Sequence, residues 1–224
     1  MATMVIYSRN IPMQIAYNGL GSFTFIAKPA QADVTLVTNP FNSPNTKFKS
    51  QVASLVVSSH DGADANNFKA VEPEHPEDHK KVFNIPHAGE YEVGGVAVTG
   101  VDATRKDGTA HSIYRFDIEG MKVGFLGALD RALTEKEIEK LGPIDILILP
   151  AGGKNVMTAS MASEVVTQIE PRLVIPSYVD GGDDYGTPDA FKRELGCPTE
   201  EVTKFKITKA GLPEEDMKLV IFTK

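Results

Sequence analysis

The sequence predicts an α/β fold in which sheets are layered against helices, on three observations. The first 130 residues hold short apolar runs broken by Gly, Pro, Asn and Asp. The second half shows helical periodicity, and between its helices lie IDILILP (144–150) and LVIP (173–176). Those two runs are apolar almost throughout, as strands covered on both faces are. Such strands, alternating with amphipathic helices, imply helices packed outside a sheet.

Taken in order, strands are predicted at 13–17, 23–27, 34–38, 55–57, 96–101, 112–118 and 121–126. The last two form a hairpin candidate, because only Glu119 and Gly120 separate SIYRFDI from MKVGFL. A first helix is marked at both ends: Thr134 and Glu137 stand at capping-box spacing, and Gly142 follows the last turn. In a second, Ala159, Ala162, Val165, Val166 and Ile169 recur at helical spacing behind Thr158. A third takes Thr187 as cap and Pro188 in its first turn, and ends at Gly196.

Composition narrows the function classes. With 42% hydrophobic and 24% charged residues, the chain carries enough apolar side chains for a packed core and is not a disordered type. No internal boundary is marked, so residues 1–224 are read as a single domain. There are 23 Lys and Arg against 30 Asp and Glu, a net charge of −7, and the basic residues are scattered. Nucleic acid is therefore a poor partner. No apolar run approaches the roughly 20 residues of a membrane helix, and the start MATMVIYSRNIP lacks the pattern of a signal peptide. Cys197 is alone, so no internal disulfide forms, and a cytoplasmic location is expected.

The stretch LVVSSHDGADANNF carries the chemistry, because an apolar strand ends at Ser58 and delivers His60 and Asp64 into a turn. Around it stand MQIAYNGLGSFTF, VTNPF (37–41), AGEYEVGGVAVTGV (88–101), SIYRFDIEGMKVGFLG (112–127) and IEPRLVIP (169–176). In these landmarks the chain resembles the metallo-β-lactamase fold superfamily, and within it the compact branch of zinc-dependent hydrolases. The family's motif at residues 59–65 is Thr-His-x-His-x-Asp-His. The resemblance spans nearly the whole chain and implies a four-layer αβ/βα sandwich, with two mixed β-sheets face to face and helices on both outer surfaces. It also implies two zinc ions held by His and Asp side chains from five loops, sharing a hydroxide that attacks the substrate.

Carried over residue by residue, the ligand set is depleted. His60 and Asp64 remain, but the second and third His positions of the motif are Gly62 and Ala65. The loop that supplies another His reads DATRKDGTAHS and places Arg105 or Lys106 there. The bridging Asp is Ala128, and the last His falls on Tyr178. A catalytic zinc needs about three protein ligands plus water, so the resemblance implies that the dinuclear centre does not assemble. The expectation is a family member without hydrolysis and without cofactor, serving as a binding, scaffolding or self-associating module for a small molecule or protein. The alternative is a rebuilt hydrolase. It would use one zinc on His60, Asp64 and a residue such as His111, or metal-free acid/base chemistry by His60 and Tyr178. Asp64, deprived of metal, needs a cationic or donor partner, for which Arg105, Lys106 and His60 are the candidates.

Other chemical signals have plainer readings. Ser59, His60 and Asp61 are consecutive, and side chains along an extended segment point apart, which argues against a nucleophilic triad. His75, His79 and His87 fall in or near EPEHPEDHKK (72–81), read as a solvated loop. His111 is expected to hydrogen-bond within its loop. The run holding Asp180, Asp183 and Asp184 lacks calcium-loop spacing. AGG (151–153) lacks the Lys-Ser/Thr of a phosphate loop and reads as a tight turn.

Overall fold

Alternation along short strands divides the chain into two facing sheets. The computed structural model describes residues 11–29, 33–74, 81–180 and 185–223. One sheet is built from β1 (Met13–Gly19), β2 (Ser22–Ala27), β3 (Val34–Thr38), β5 (Leu55–Val57), β7 (Phe83–Ile85) and β15 (Phe205–Ile207). The other contains β8 (Gly89–Val93), β9 (Val96–Thr104), β10 (Ala110–Ile118), β11 (Met121–Phe125), β12 (Ile146–Pro150), β13 (Leu173–Ser177), β14 (Thr199–Val202) and β16 (Lys218–Phe222). Every strand expected from the sequence is present. The Glu119–Gly120 hairpin is present too, with Glu119 at φ 51° and Ile118 paired to Met121.

The core lies between the sheets, where alternate residues of each strand meet. Met13, Ile15, Phe23, Phe25, Leu36 and Val57 face Tyr114, Phe116, Val123, Phe125, Ile148 and Ile175 in one buried cluster. The opposite face of the eight-stranded sheet, with Ile113, Leu147, Leu149, Val174 and Leu219, is covered by helices. These are α1 (Glu135–Leu141), α2 (Ala159–Ile169) and α3 (Pro188–Leu195), which contribute Leu141, Val165 and Phe191. Burying each such side chain contributes about 1.5–3 kcal/mol. Thr134 and Glu137 form the predicted capping box, and Arg131 clamps the Glu137 carboxylate at 2.6 and 2.9 Å. Thr187 makes no side-chain cap; its hydroxyl donates to Asp189 at 3.3 Å instead.

Outside the six-stranded sheet the described residues place no helix where the resemblance implies one. Val37 and Val56 are covered there by β4 (Gln51–Ala53) and β6 (Val71–Pro73), a two-stranded sheet, and by a 3-10 turn at Phe68–Ala70. The local sequence explains the difference, since residues 42–54 carry no 3.6-residue apolar period and are interrupted by Pro44 and by Asn42 and Asn45.

The parallel pairs bring strand ends together. β3, β5 and β7 end side by side in one sheet, and β11, β12 and β13 do so in the other. The two rims are stitched by the Tyr114 hydroxyl donating to Ser58 O (2.8 Å), Ser112 N–H to Ser59 O (2.6 Å) and Tyr178 N–H to Leu20 O (2.9 Å). Among the described residues, no helix is long and apolar enough to cross a membrane.

Candidate functional site

The rim where those strand ends meet gathers the site. β3 delivers Asn39, β5 delivers Ser59 and His60, β11 delivers Ala128, β13 delivers Tyr178, and the β9–β10 hairpin delivers Arg105 and His111. A cavity of about 710 Å³ opens there, bordered by Ser59, His60, Asp64, Arg105 and His111 among others.

One hydrogen-bonded chain passes through its lining residues Ser59, His60 and Asp64. Asn39 Nδ2 donates to Ser59 Oγ at 2.8 Å, and Ser59 N–H donates back to Asn39 Oδ1 at 2.8 Å. Ser59 Oγ lies 3.0 Å from His60 Nδ1, and His60 Nε2 lies 2.9 Å from Asp64 Oδ1. The Tyr178 hydroxyl donates to Asp64 Oδ2 at 3.1 Å. Burial pushes the Asp64 carboxyl up, but the His60 and Tyr178 hydrogen bonds and the His60 charge outweigh it and hold the group below its ordinary value. An ionised Asp64 only accepts, so Nε2 carries a proton; in the neutral imidazole Nδ1 then accepts a hydrogen bond from the Ser59 hydroxyl.

Tyr178, which the resemblance sets at the family's last His, is fully buried and at φ 56°. Its ring packs with Leu20, Phe41, Ala128 and Val156. Burial, then the neighbouring Asp64 charge, push its phenol well above the ordinary value, so it remains a donor. Gly21 makes room for it: a Cβ there would stand 2.6 Å from Tyr178 Cε2. Gly62 plays a similar part, since a Cβ at 62 would stand 2.7 Å from His60 Nε2 and 2.8 Å from Asp64 Oδ1. A side chain at 62 and the His60–Asp64 bond compete for one volume.

Of the three partners expected for Asp64, His60 is the one the structure supplies. Arg105 turns away to Asp130, with Nε 3.9 Å from Oδ2, and donates from Nη2 to the Asn155 carbonyl. Lys106 Nζ lies 3.8 Å from Met161 Sδ, so neither cation reaches the carboxylate. The consecutive set Ser59, His60 and Asp61 does not come together, but Ser59 and His60 do meet, because the chain bends after Ser59. Their acid is Asp64 and not Asp61, which accepts from Asn66 instead. Ala65 and Ala128 are buried.

His111 donates from Nε2 to Leu126 O at 2.9 Å and stacks on His60, with ring centres 5.5 Å apart. Burial pulls its imidazole down to about 4, against the Leu126 bond and aided by the His60 and Arg105 charges. His87 borders the same cavity. AGG (151–153) forms the turn out of β12, Gly153 N–H donating to Met157 O at 2.9 Å. Cys197 is half-buried, its thiol pushed up by burial. His75, His79, Asp183 and Asp184 lie outside the described residues. Sequence reasoning passed over Asn39 and Gly21; the place of Asn39 inside the VTNPF landmark (37–41) was the available signal for the first.

A family model described as the beta-lactamase superfamily domain matches residues 14–178. The chain belongs to this superfamily. A UPF0173 protein of Pyrococcus furiosus is 33% identical over 125 residues, 51% of this chain and 53% of that protein. A UPF0173 metal-dependent hydrolase of Thermococcus onnurineus is 30% identical over 126 residues, 51% of this chain and 54% of the relative. The chain thus spans about half the length of the curated relatives it matches. Among solved structures, a metallo-beta-lactamase superfamily protein of Thermotoga maritima aligns with a TM-score of 0.72 and 26% identity, covering 95% of this chain and 100% of that one. A metallo hydrolase of Ignicoccus hospitalis aligns at 0.60 with 17% identity, covering 94% of each chain, and shares the fold.

The superfamily's zinc pair does not fit these residues. Among the described residues, no three His, Cys, Asp or Glu side chains group so as to hold a metal ion. His60 and Asp64 are bonded to each other, and the Tyr178 ring packs against Ala128 and other apolar neighbours, which offer no ligand atoms.

Proposed function

We propose that this chain is a metallo-β-lactamase-fold protein that no longer hydrolyses through a zinc pair and keeps the former site as a binding cavity. The observation that carries this reading is Tyr178 bonded to an Asp64 already bonded to His60. The carboxylate that would hold a metal is held by a phenol and an imidazole. Replacement of the bridging Asp by Ala128 belongs to the same change, since a second buried carboxylate without metal would carry an uncompensated charge. The occupant is a small molecule or a protein segment, bound in a cytoplasmic and self-associating protein.

The test is metal content and affinity. Protein expressed with zinc in excess and gel-filtered should carry well below one zinc per chain, and calorimetric zinc titration should show no tight site. Two zinc ions per chain would overturn the reading.

A second reading is favoured by one observation: Ser59 Oγ, His60 and Asp64 stand in the order of nucleophile, base and acid. That arrangement would suit a metal-free hydrolase. Against it, Ser59 is 1% exposed and its oxygen is also held by Asn39. A fluorophosphonate probe should leave Ser59 unlabelled; stoichiometric labelling would promote this second reading above the first.

A further inference from the structure

Asn39 holds its φ at 40°, in the left-handed region that Asn and Asp enter more readily than other side chains. Backbone shape therefore admits an amide or a carboxylate at this place, and the two differ by a donor. The residue is fully buried, with its N–H on Val57 O at 2.9 Å. Ser59 N–H can only donate, so the side-chain atom of Asn39 that faces it at 2.8 Å is Oδ1. The amide nitrogen is thereby turned to Ser59 Oγ, also at 2.8 Å, and Oγ accepts there.

Ser59 then has one hydroxyl proton to place. It is 1% exposed, and Gly127 lies so near that a Cβ at 127 would overlap Oγ. Among the described residues the other partner of Oγ is His60 Nδ1, at 3.0 Å. A buried hydroxyl proton without an acceptor carries a desolvation penalty, so the proton goes to Nδ1. A ring nitrogen that accepts holds no proton, which leaves the imidazole proton on Nε2, 2.9 Å from Asp64 Oδ1. From the far end the Tyr178 hydroxyl donates to Oδ2 at 3.1 Å, so every link runs toward the carboxylate.

We propose that Asn39 is the positioning residue of this site: by donating to Ser59 Oγ it aims the hydroxyl proton at His60 Nδ1 and keeps the ring proton on Nε2, against Asp64. An ionised carboxylate in its place would offer Ser59 only acceptors and reverse the order of the links. The amide commits both ring nitrogens within the protein, Nδ1 to Ser59 and Nε2 to Asp64. The His60 side chain is 9% exposed and that of Asp64 33%, so the carboxylate is the member of the chain left to meet an occupant of the cavity. This proposal rests on the reading of the site as metal-free, because an ion on either nitrogen would displace one of these bonds.

The test reads where the protons sit on His60. Full-length protein labelled with 15N-histidine, and assayed for zinc, is examined by long-range proton–nitrogen correlation NMR at neutral pH. His60 should carry one proton, on Nε2, with Nδ1 as a hydrogen-bonded acceptor. Ser59→Ala should move the Nδ1 resonance to that of a bare lone pair and leave the proton on Nε2. Asn39→Asp is read at a pH where the carbon shift of the new carboxylate shows it ionised. There the Ser59 hydroxyl turns to the carboxylate, Oγ accepts from the ring, and His60 should carry two protons instead of one. Loss of packing alone adds no proton to Nδ1. A proton on Nδ1 in the unaltered protein, an Nδ1 signal unmoved by Ser59→Ala, or a singly protonated His60 in ionised Asn39→Asp would each overturn the proposal. The spectrum of the unaltered protein decides the matter even if a variant misfolds. Zinc-free protein with the proton on Nδ1 sinks this proposal alone, whereas two zinc ions per chain sink the reading beneath it.

Discussion

The Tyr178 hydroxyl meets the Asp64 carboxylate at 3.1 Å across 114 residues of chain, joining the end of β13 to the turn after β5. A phenol kept protonated by burial can only stabilise a charged neighbour by donating to it. The bond therefore sets the properties of Asp64 more than those of Tyr178.

Tyr178→Phe should remove that donor and leave the ring packing in place. A loss of about 1–2 kcal/mol in unfolding free energy is expected, measured by urea denaturation, with the Asp64 carboxyl titrating higher by NMR. Tyr178→Ala, which also empties a buried ring volume, should lose about 3–5 kcal/mol.

Asp64 lies below its unfolded value of 3.8 in the folded protein. Its contribution is complete above that value and disappears as pH falls through the lower folded value. Asp64→Asn should therefore cut stability at neutral pH and flatten the acid limb of the stability curve below about pH 4. An unchanged limb would show that the His60 and Tyr178 bonds do not stabilise the charge.

His111 moves in the same direction over a different window. Its folded value of about 4 lies beneath the unfolded 6.5, so between them the unfolded chain binds the extra proton. Stability should fall as pH is lowered from about 6.5 toward 4, by about 3 kcal/mol at most. His111→Gln should remove that slope.

Gly62→Ala should push His60 and Asp64 apart and cost about 2 kcal/mol, seen as a lowered melting temperature. Restoring His at 62, 65, 105 and 178 together with Asp at 128 should create measurable zinc affinity by calorimetry, while Gly62→His alone should create none.

Much of the frame was readable because its signals are local. Thr134, Glu137 and Gly142 mark a helix within nine residues, and Glu119 with Gly120 marks a hairpin. The strands that escaped, such as β4, β6 and β7, have three residues each and mix polar with apolar side chains, whereas β5, equally short, shows because it is apolar throughout. In the site, the matched motif located His60, Asp64 and Tyr178, but not their bonds. Ser59 and His60 meet because of a bend that alternation along a straight strand does not foresee. Asn39 and Gly21 matter through contacts with Ser59 and Tyr178, 20 and 157 positions away, and no local pattern records such distances.

The crowding at Gly62 fixes the order in which a metal site could be engineered here. A side chain at that position meets His60 Nε2 and Asp64 Oδ1 first, so Gly62→His on its own is expected to lower stability, and the other substitutions have to arrive with it.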